Sequence, residues 1–454
     1  MKGLEASEIT FSKYQETHRL RLDSDYYRKE FLENEKLLSS TYTIQAFCEE
    51  TIPNIKNAGL KKSFLYLEIS NVSLNNITYR TVEINPKEIP DRATYILQKN
   101  DVVVSTVRPN RNAVALIHNV DELLVGTSGF TVLRSKNISP YYLYAFCKTK
   151  HFITKLMREN TATMYPAVSD DDVLNVRLPL FSEKFRDKVS ELVKKALECI
   201  KHTQRLYADA ENVLLSALEA GNADRGTAIN TRDNINVKPF SFASQTARLD
   251  AEYYLPKYEK FEKLITTYQY GYKPLDKVCR INDANFIPQN DTKYNYIELA
   301  DVGKDGEITG ATQEFGRNLP TRARRIVYKG DVIVSSIEGS LDSCALVTSQ
   351  YDNAICSTGF YVISSDSINF ETLLVLFKSE LMQQLLKQNC SGTILTSINK
   401  DALYRLPIPL VSSKVQSEIS SLVSSSFSLR SESEALLAEA KLMVEKAIEK
   451  RNGG

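Results

Sequence analysis

Histidines come first among the residues that could carry chemistry, and there are four: His18, His118, His151 and His202. None stands at the spacing of a metal-ligand pair, so neither a zinc site nor a histidine base is expected. The run Asp170-Asp171-Asp172 could offer clustered oxygens to a hard cation. Ser169 precedes it as an N-cap would, which instead places the acids in the first turn of a short helix. Seven cysteines (48, 147, 199, 279, 344, 356, 390) are scattered and never spaced as C-x-x-C. They read as buried thiols, not as a disulfide framework. The chain has no G-x-x-x-x-G-K-[ST] loop, no G-x-G-x-x-G turn and no Asn-Pro-Pro-aromatic run of the kind that holds a flipped adenine. ATP hydrolysis and methyl transfer by this chain are therefore not expected, and no residue is assigned as catalytic, cofactor-binding or metal-binding.

These residues belong to a chain of 454 amino acids that is one unit written twice. Arg21–Tyr27 (RLDSDYY) returns as Arg248–Tyr254 (RLDAEYY), Tyr66–Val72 as Tyr296–Val302, and Lys99–Val107 as Lys329–Ile337. Gly126–Ser135 then answers Cys356–Ser365, and Leu174–Leu180 answers Tyr404–Leu410. The repeat weakens the metal reading further, because Lys400-Asp401-Ala402 stands opposite the acid run and no histidine has a twin. At 43% hydrophobic and 25% charged residues the composition is that of folded globular domains. The net charge of +1 gives no global footprint for nucleic acid or membrane. No apolar run approaches the roughly 18 residues of a membrane span, and MKGLEASEITFSK lacks the apolar stretch of a signal peptide. A cytoplasmic protein is expected.

Within each copy, Val/Ile/Phe-rich runs punctuated by Gly, Pro and Asn read as short strands. Asp101–Val107 and Asp331–Ile337 are apolar enough for strands buried on both faces. A helical stretch follows, capped by Ser139 with Pro140 at its first position, and its counterpart begins near Asn369. Each half closes on a long segment free of Pro and Gly, Glu183–Ala220 and Ser413–Arg451, on the order of 55 Å if helical. In the first, Leu192, Ala196, Cys199, Thr203, Leu206, Ala210, Val213 and Ala217 make a heptad stripe of small residues. Leu422, Ser426, Leu429, Ser433, Leu436, Ala440, Met443 and Ala447 repeat it. Such a stripe suits antiparallel pairing of the two helices as a coiled coil, with a β-rich head at either end. Gly221–Pro239 reads as a linker. The paired tyrosines Tyr26, Tyr27, Tyr253 and Tyr254 are expected to pack between head and helix.

Five strings in order, DVVVSTVRPN (Asp101–Asn110), SGF (Ser128–Phe130), YLYAF (Tyr142–Phe146), TMYPAVSDDDVLNVRLPL (Thr163–Leu180) and a long helix, resemble the target-recognition domain of type I restriction-modification specificity subunits. The second half repeats the order with DVIVSSIEGS, TGF, LLVLF and TILTSINKDALYRLPIPL. The first copy is the closer match. The resemblance implies a mixed α+β fold with target-recognition domains over 1–180 and 241–410, spacer helices over 181–222 and 411–454, and a linker over 223–240. It implies a non-catalytic subunit whose two domains read the halves of a split, asymmetric target in double-stranded DNA. The helices would then act as ruler and as docking platform for two adenine-modifying methyltransferase subunits. S-adenosylmethionine and ATP are expected only on partners, the latter on restriction subunits able to join the complex. Removing seven residues from each helix, Leu192–Glu198 and Leu422–Ser428, is expected to change the tolerated spacer.

On that reading the candidate DNA contacts are Arg108, Asn110 and Arg111, which leave the buried strand at a proline turn where Arg can fork onto guanine and Asn onto adenine. Thr163 and Tyr165 precede the short helix, where a tyrosine can stack or meet phosphate. Arg322, Arg324, Arg325, Thr393 and Lys400 are the candidates of the second half. Charge divides the halves: residues 51–158 hold 15 Lys/Arg against 7 Asp/Glu, and residues 281–392 hold 9 against 14. The acidic second head leaves open an alternative, a two-headed interaction scaffold in a defence locus with no sequence-specific DNA binding of its own. A nuclease or methyltransferase with an unrecognised site is the remaining rival.

Overall fold

The computed structural model describes residues 7–15, 20–55, 62–160, 165–220, 236–246, 248–303, 305–392 and 396–451. His18, Thr163, Thr393 and most of the expected linker lie outside the described residues. Two compact units emerge, one of residues 1–200 with 430–454 and the other of 201–429.

In the first unit the short apolar runs become β1 (Phe64–Leu67), β2 (Val82–Ile84), β3 (Ala93–Leu97), β4 (Val102–Ser105), β5 (Val114–Leu116), β6 (Leu124–Thr127) and β7 (Phe130–Leu133). One sheet runs β2-β1-β6-β3 and a second β5-β4-β7. All pairs are antiparallel except β1 with β6. Strand β4 is buried along its whole length, as its unbroken apolar run requires. The expected helical stretch divides into Pro140–Cys147 and Lys150–Glu159. Thr149 explains the break: its backbone is extended, its hydroxyl donates to the Phe146 carbonyl (2.7 Å), and its oxygen accepts the Phe152 N–H (3.3 Å), ending one helix and capping the next. Val102, Val104, Leu133, Tyr142, Phe146 and Phe152 form one core with Val189, Val193, Leu197 and Ile200 of one long helix and Ala440, Val444 and Ile448 of the other.

The second unit contains β8 (Tyr272–Pro274), β9 (Cys279–Asn282), β10 (Lys293–Ile297), β11 (Thr312–Phe315), β12 (Ala323–Val327), β13 (Val332–Ser335), β14 (Cys344–Leu346), β15 (Ala354–Ser357) and β16 (Phe360–Ser365). Its sheets run β11-β10-β15-β12 and β14-β13-β16-β9. The register slips once between Ala323 and Arg325 against β15, as it does between Ala93 and Tyr95 against β6. Val332, Val334 and Phe377 share a core with Tyr207, Ala210, Leu214 and Leu218 of the first long helix and with Ile419 and Val423 of the second.

The long helices span Glu183–Glu219 and Ser413–Arg451. Ala196, Thr203, Ala210, Ser426, Ser433 and Ala440 are fully buried, but their expected partners in the stripe, Leu192, Cys199, Leu206, Val213, Leu422 and Leu429, are only half-buried. The buried row instead runs through Val193, Ile200, Tyr207 and Leu214, and through Ile419, Val423, Arg430 and Val444. The stripe lies one residue over because these helices face a head as well as another helix, which turns the most buried line away from a strict two-helix seam. Thr203 Oγ1 donates to the Ser426 carbonyl and Ser426 Oγ to the Thr203 carbonyl, both at 3.2 Å. Ser433 Oγ donates to the Ala196 carbonyl (2.9 Å). Small residues let backbones approach closely enough for such bonds.

The paired tyrosines pack against the heads' own residues. Tyr26 is buried edge-on to Tyr27, with Arg158 4.2 Å and Arg21 4.9 Å from its ring centre. Tyr253 and Tyr254 repeat the edge-on pair, with Arg248 4.7 Å from the Tyr253 ring. In the first head Lys150–Glu159 supports Tyr26, whose hydroxyl donates to Glu159 (3.3 Å). All seven cysteines are free, and all but the half-buried Cys199 are buried.

Candidate nucleic-acid interface

At the end of β4 three segments distant in sequence meet. The Thr106 N–H and Oγ1 both donate to the Gly129 carbonyl (2.9 and 3.0 Å). The Val168 N–H donates to the Thr106 carbonyl (3.0 Å) and the Arg108 N–H to the Pro166 carbonyl (2.7 Å). Backbone bonds thus lace the strings STVRPN, SGF and YPAVSDDD into one edge.

The chain then turns sharply. Arg108 is left-handed (φ 51°), Pro109–Arg111 form one 3-10 turn around the buried Pro109, and Asn112 is left-handed again (φ 53°). Two non-glycine residues in this region cost on the order of 1–3 kcal/mol each, so the surroundings must impose them. The Arg111 N–H donates to the Arg108 carbonyl (2.9 Å), the Asn112 N–H to the Pro109 carbonyl (3.0 Å), and Asn112 Nδ2 to the Lys148 carbonyl (3.0 Å). The turn leaves Asn110 and Arg111 exposed and lays the Arg108 guanidinium 4.5 Å from the centre of the exposed Tyr165 ring. Arg108 and Tyr165 therefore act as a pair, a cation–π contact that holds the guanidinium at this exposed edge, where it can fork onto a base or phosphate. The acid run takes the place expected of it, in the helix Asp170–Leu174, where Ser169 and Asp172 form a capping box. Asp170 accepts from the Thr131 hydroxyl (2.7 Å). Among the described residues no cluster of His, Cys, Asp and Glu could hold a metal ion.

The second head is laced the same way. The Ser336 N–H and Oγ donate to the Gly359 carbonyl (2.8 and 3.0 Å), the Ile398 N–H to the Ser336 carbonyl (2.9 Å), and the Glu338 N–H to the Thr396 carbonyl (3.0 Å). Its cations, however, are largely engaged. Arg322 Nη2 reaches Glu298 (3.0 Å), Arg324 Nε donates to the Thr321 carbonyl (3.0 Å), and Arg325 donates to Asn285 Oδ1 (3.0 Å) and to the Asp283 carbonyl. Lys400 pairs with the Asp283 carboxylate, and this hydrogen bond holds that carboxyl below its usual range. The acidic balance of this head thus lies at its candidate edge itself. Sequence reading missed these acceptors, and it missed Arg92, the exposed counterpart of Arg322. The Arg92 carbonyl takes the Ser128 N–H (2.7 Å) as the Arg322 carbonyl takes the Thr358 N–H (2.8 Å). The recurrence of Arg92 and Arg322 in the repeat was the available signal.

A family model described as the type I restriction modification DNA specificity domain matches residues 270–440. The chain carries a type I restriction-modification DNA specificity domain. The matched stretch holds β8 to β16 and the Arg322–Lys400 edge, and continues into the second long helix. It falls on the second copy, although the first carries the fuller set of motifs. The chain is also similar to the type I restriction enzyme HindI specificity subunit of Haemophilus influenzae, 24% identical over 140 residues, which are 30% of this chain. The aligned stretch spans 27% of that relative's length. Solved structures with some likeness are the HsdS subunit from Thermoanaerobacter tengcongensis (18% identity, TM-score 0.33, 89% of this chain and 95% of that one) and the type I restriction-modification system S subunit from M. genitalium (13%, TM-score 0.37, 90% and 94%). The family resemblance carried by the repeated strings is borne out by the specificity domain. No helix among the described residues is long and apolar enough to cross a membrane.

Proposed function

We propose that this chain is the non-catalytic DNA-recognition subunit of a type I restriction-modification complex, with heads at 1–180 and 241–410 each reading one half of a split, asymmetric target. The supporting observation is the twice-built edge, in which a buried strand, a glycine turn and the segment before a short capped helix are laced by the same backbone bonds, the second time inside the matched specificity domain. The long helices, over 181–222 and 411–454, act as the spacer and as the docking platform for two adenine-N6 methyltransferase subunits, which bring S-adenosylmethionine. Restriction subunits driven by ATP are able to join the same assembly. The two-headed scaffold remains a second reading because Arg322, Arg325 and Lys400 are already engaged by protein acceptors. Single-molecule sequencing for N6-methyladenine, in host DNA with and without this gene, tests between them. Loss of one split, non-palindromic motif is the expected result, and an unchanged methylome favours the scaffold.

The spacer role makes its own prediction. Thr203 faces Ser426 and Ala196 faces Ser433, so seven steps down one helix are seven steps up the other, which supports antiparallel pairing. The stretch facing Leu192–Glu198 is then Ser431–Leu437, and not Leu422–Ser428 as repeat matching alone would choose. Deleting Ala196–His202 together with Phe427–Ser433 removes two turns from both helices in register. The spacer tolerated between methylated half-motifs should shorten, and an unchanged spacer in the sequenced motif would mean that the helices do not set it.

A further inference from the structure

A lysine ties off the end of the turn in each head. Lys148 caps the helix Pro140–Cys147, and its Nζ donates to the Asn112 carbonyl (3.1 Å) and the Leu74 carbonyl (2.8 Å). Asn112 Nδ2 donates back to the Lys148 carbonyl (3.0 Å), so the turn's last residue is held through both side chains. In the second unit Lys378, the final residue of the helix Phe370–Lys378, donates from Nζ to the carbonyl of Asp342 (2.9 Å). Asp342 ends the turn that follows β13 as Asn112 ends the turn that follows β4. The strings aligned on the repeat did not include either lysine, yet the two are twins in it.

We infer that Lys148 and Lys378 are positioning residues that fix the reading turns of the two heads. This rests on reading those turns as DNA contacts. The long helices add a charge near each lysine. Lys441, on the second long helix, and Glu211, on the first, are themselves twins in the repeat, and each acts on the clamp lysine of its own unit. In the first unit burial, then the like charge of Lys441, pushes the Lys148 ammonium down to about 8, with Cys147 and the two carbonyls completing its surroundings. In the second, burial raises the Glu211 carboxyl while Lys378 draws it down. The helix face thus opposes the charged clamp in one head and supports it in the other.

The test follows amide exchange of residues 108–112 in the full chain, beside sequencing of a randomised-core duplex library that the chain selects. Lys148→Met keeps the stem and removes the donors. It should raise exchange at Arg111 and Asn112 about tenfold, the worth of a charge-assisted bond, and blur one half-site only. Lys148→Arg should restore both, and Lys378→Met should disturb the other turn and the other half-site. Unchanged exchange in Lys148→Met, or no rescue by arginine, overturns the clamp. A half-site blurred by Arg108→Ala with Arg111→Ala but not by Lys148→Met overturns the positioning role and leaves DNA reading intact. Raised exchange with no half-site lost in any variant keeps the clamp and overturns the reading of these turns as DNA contacts.

Discussion

Replacing Arg108 and Arg111 together by alanine should weaken the hold on DNA about 100-fold and blur one half of the target while the other half is still read. A well-formed arginine fork discriminates by about 1–3 kcal/mol, and two of them toward the low end of that range, about 1.4 kcal/mol each, make roughly two decades of affinity. Neither guanidinium has to leave a carboxylate to do this: Arg108 rests on the Tyr165 ring, and neither carries an ion pair among the described residues. Arg322→Ala with Lys400→Ala should cost much less, because Arg322 must give up Glu298 and Lys400 must give up Asp283 before either meets DNA. The same reasoning reverses for the acid. Asp283→Asn releases Lys400 and should strengthen binding to unrelated sequence, steepening the salt dependence by about one ion for one new phosphate contact. Fluorescence anisotropy at two salt concentrations, on DNA carrying the methylated motif and on scrambled DNA, separates these results. Equal losses from the two heads would refute the view that acids restrain the second one.

How much of this was legible in the sequence depends on whether a feature had a twin. The repeated strings gave the strand that becomes β4 and β13, the glycine turn and the two long helices, because each rests on local pattern that the second copy confirms. Half of the stripe along the helices, the row of Leu192, Cys199, Leu206 and Val213, was misplaced by one residue, since a heptad count asks only which residues could face another helix, and Val193, Ile200 and Tyr207 are drawn toward the heads as well. Thr149 divided a helix that apolar content alone left whole, by supplying a cap inside it. The left-handed backbone of Arg108 and Asn112 left no compositional trace, because neither is glycine and the conformation is imposed by Pro166, Pro109 and Lys148 from elsewhere in the chain. Asp283 was invisible for the opposite reason: it falls between the repeated strings Arg248–Tyr254 and Tyr296–Val302, so no repeat pointed to it.

One pair of twins is predicted to respond in opposite ways to the same substitution. Asp101 and Asp331 begin the buried strands, and each accepts a backbone N–H three residues earlier, from Gln98 (2.7 Å) and Tyr328 (2.8 Å). Only Asp101 also takes an arginine, bidentate, with Arg134 Nε at 2.9 Å and Nη2 at 2.8 Å. Asp101 is 1% exposed and Arg134 9%, so Asp101→Asn leaves a nearly buried guanidinium with only the more exposed Glu49, 3.8 Å away, as counter-charge, a change that costs about 3 kcal/mol. The counterpart of Arg134 is Ser364, and Asp331 is left with burial and the nearby Asp352, which raise its carboxyl above the ordinary value of 3.8. A raised acid stabilises the fold below its unfolded pKa and loses that contribution as pH rises through the folded one. Asp331→Asn keeps the acceptor for the Tyr328 N–H, removes the buried charge, and should be neutral or mildly stabilising at pH 7. Urea unfolding followed by amide exchange in each unit reads the two results separately, since two units need not unfold together. A large loss in both variants would show that the carboxylates serve chiefly as strand caps; a loss confined to Asp101→Asn shows that the first head has committed its core to an ion pair that its twin does without.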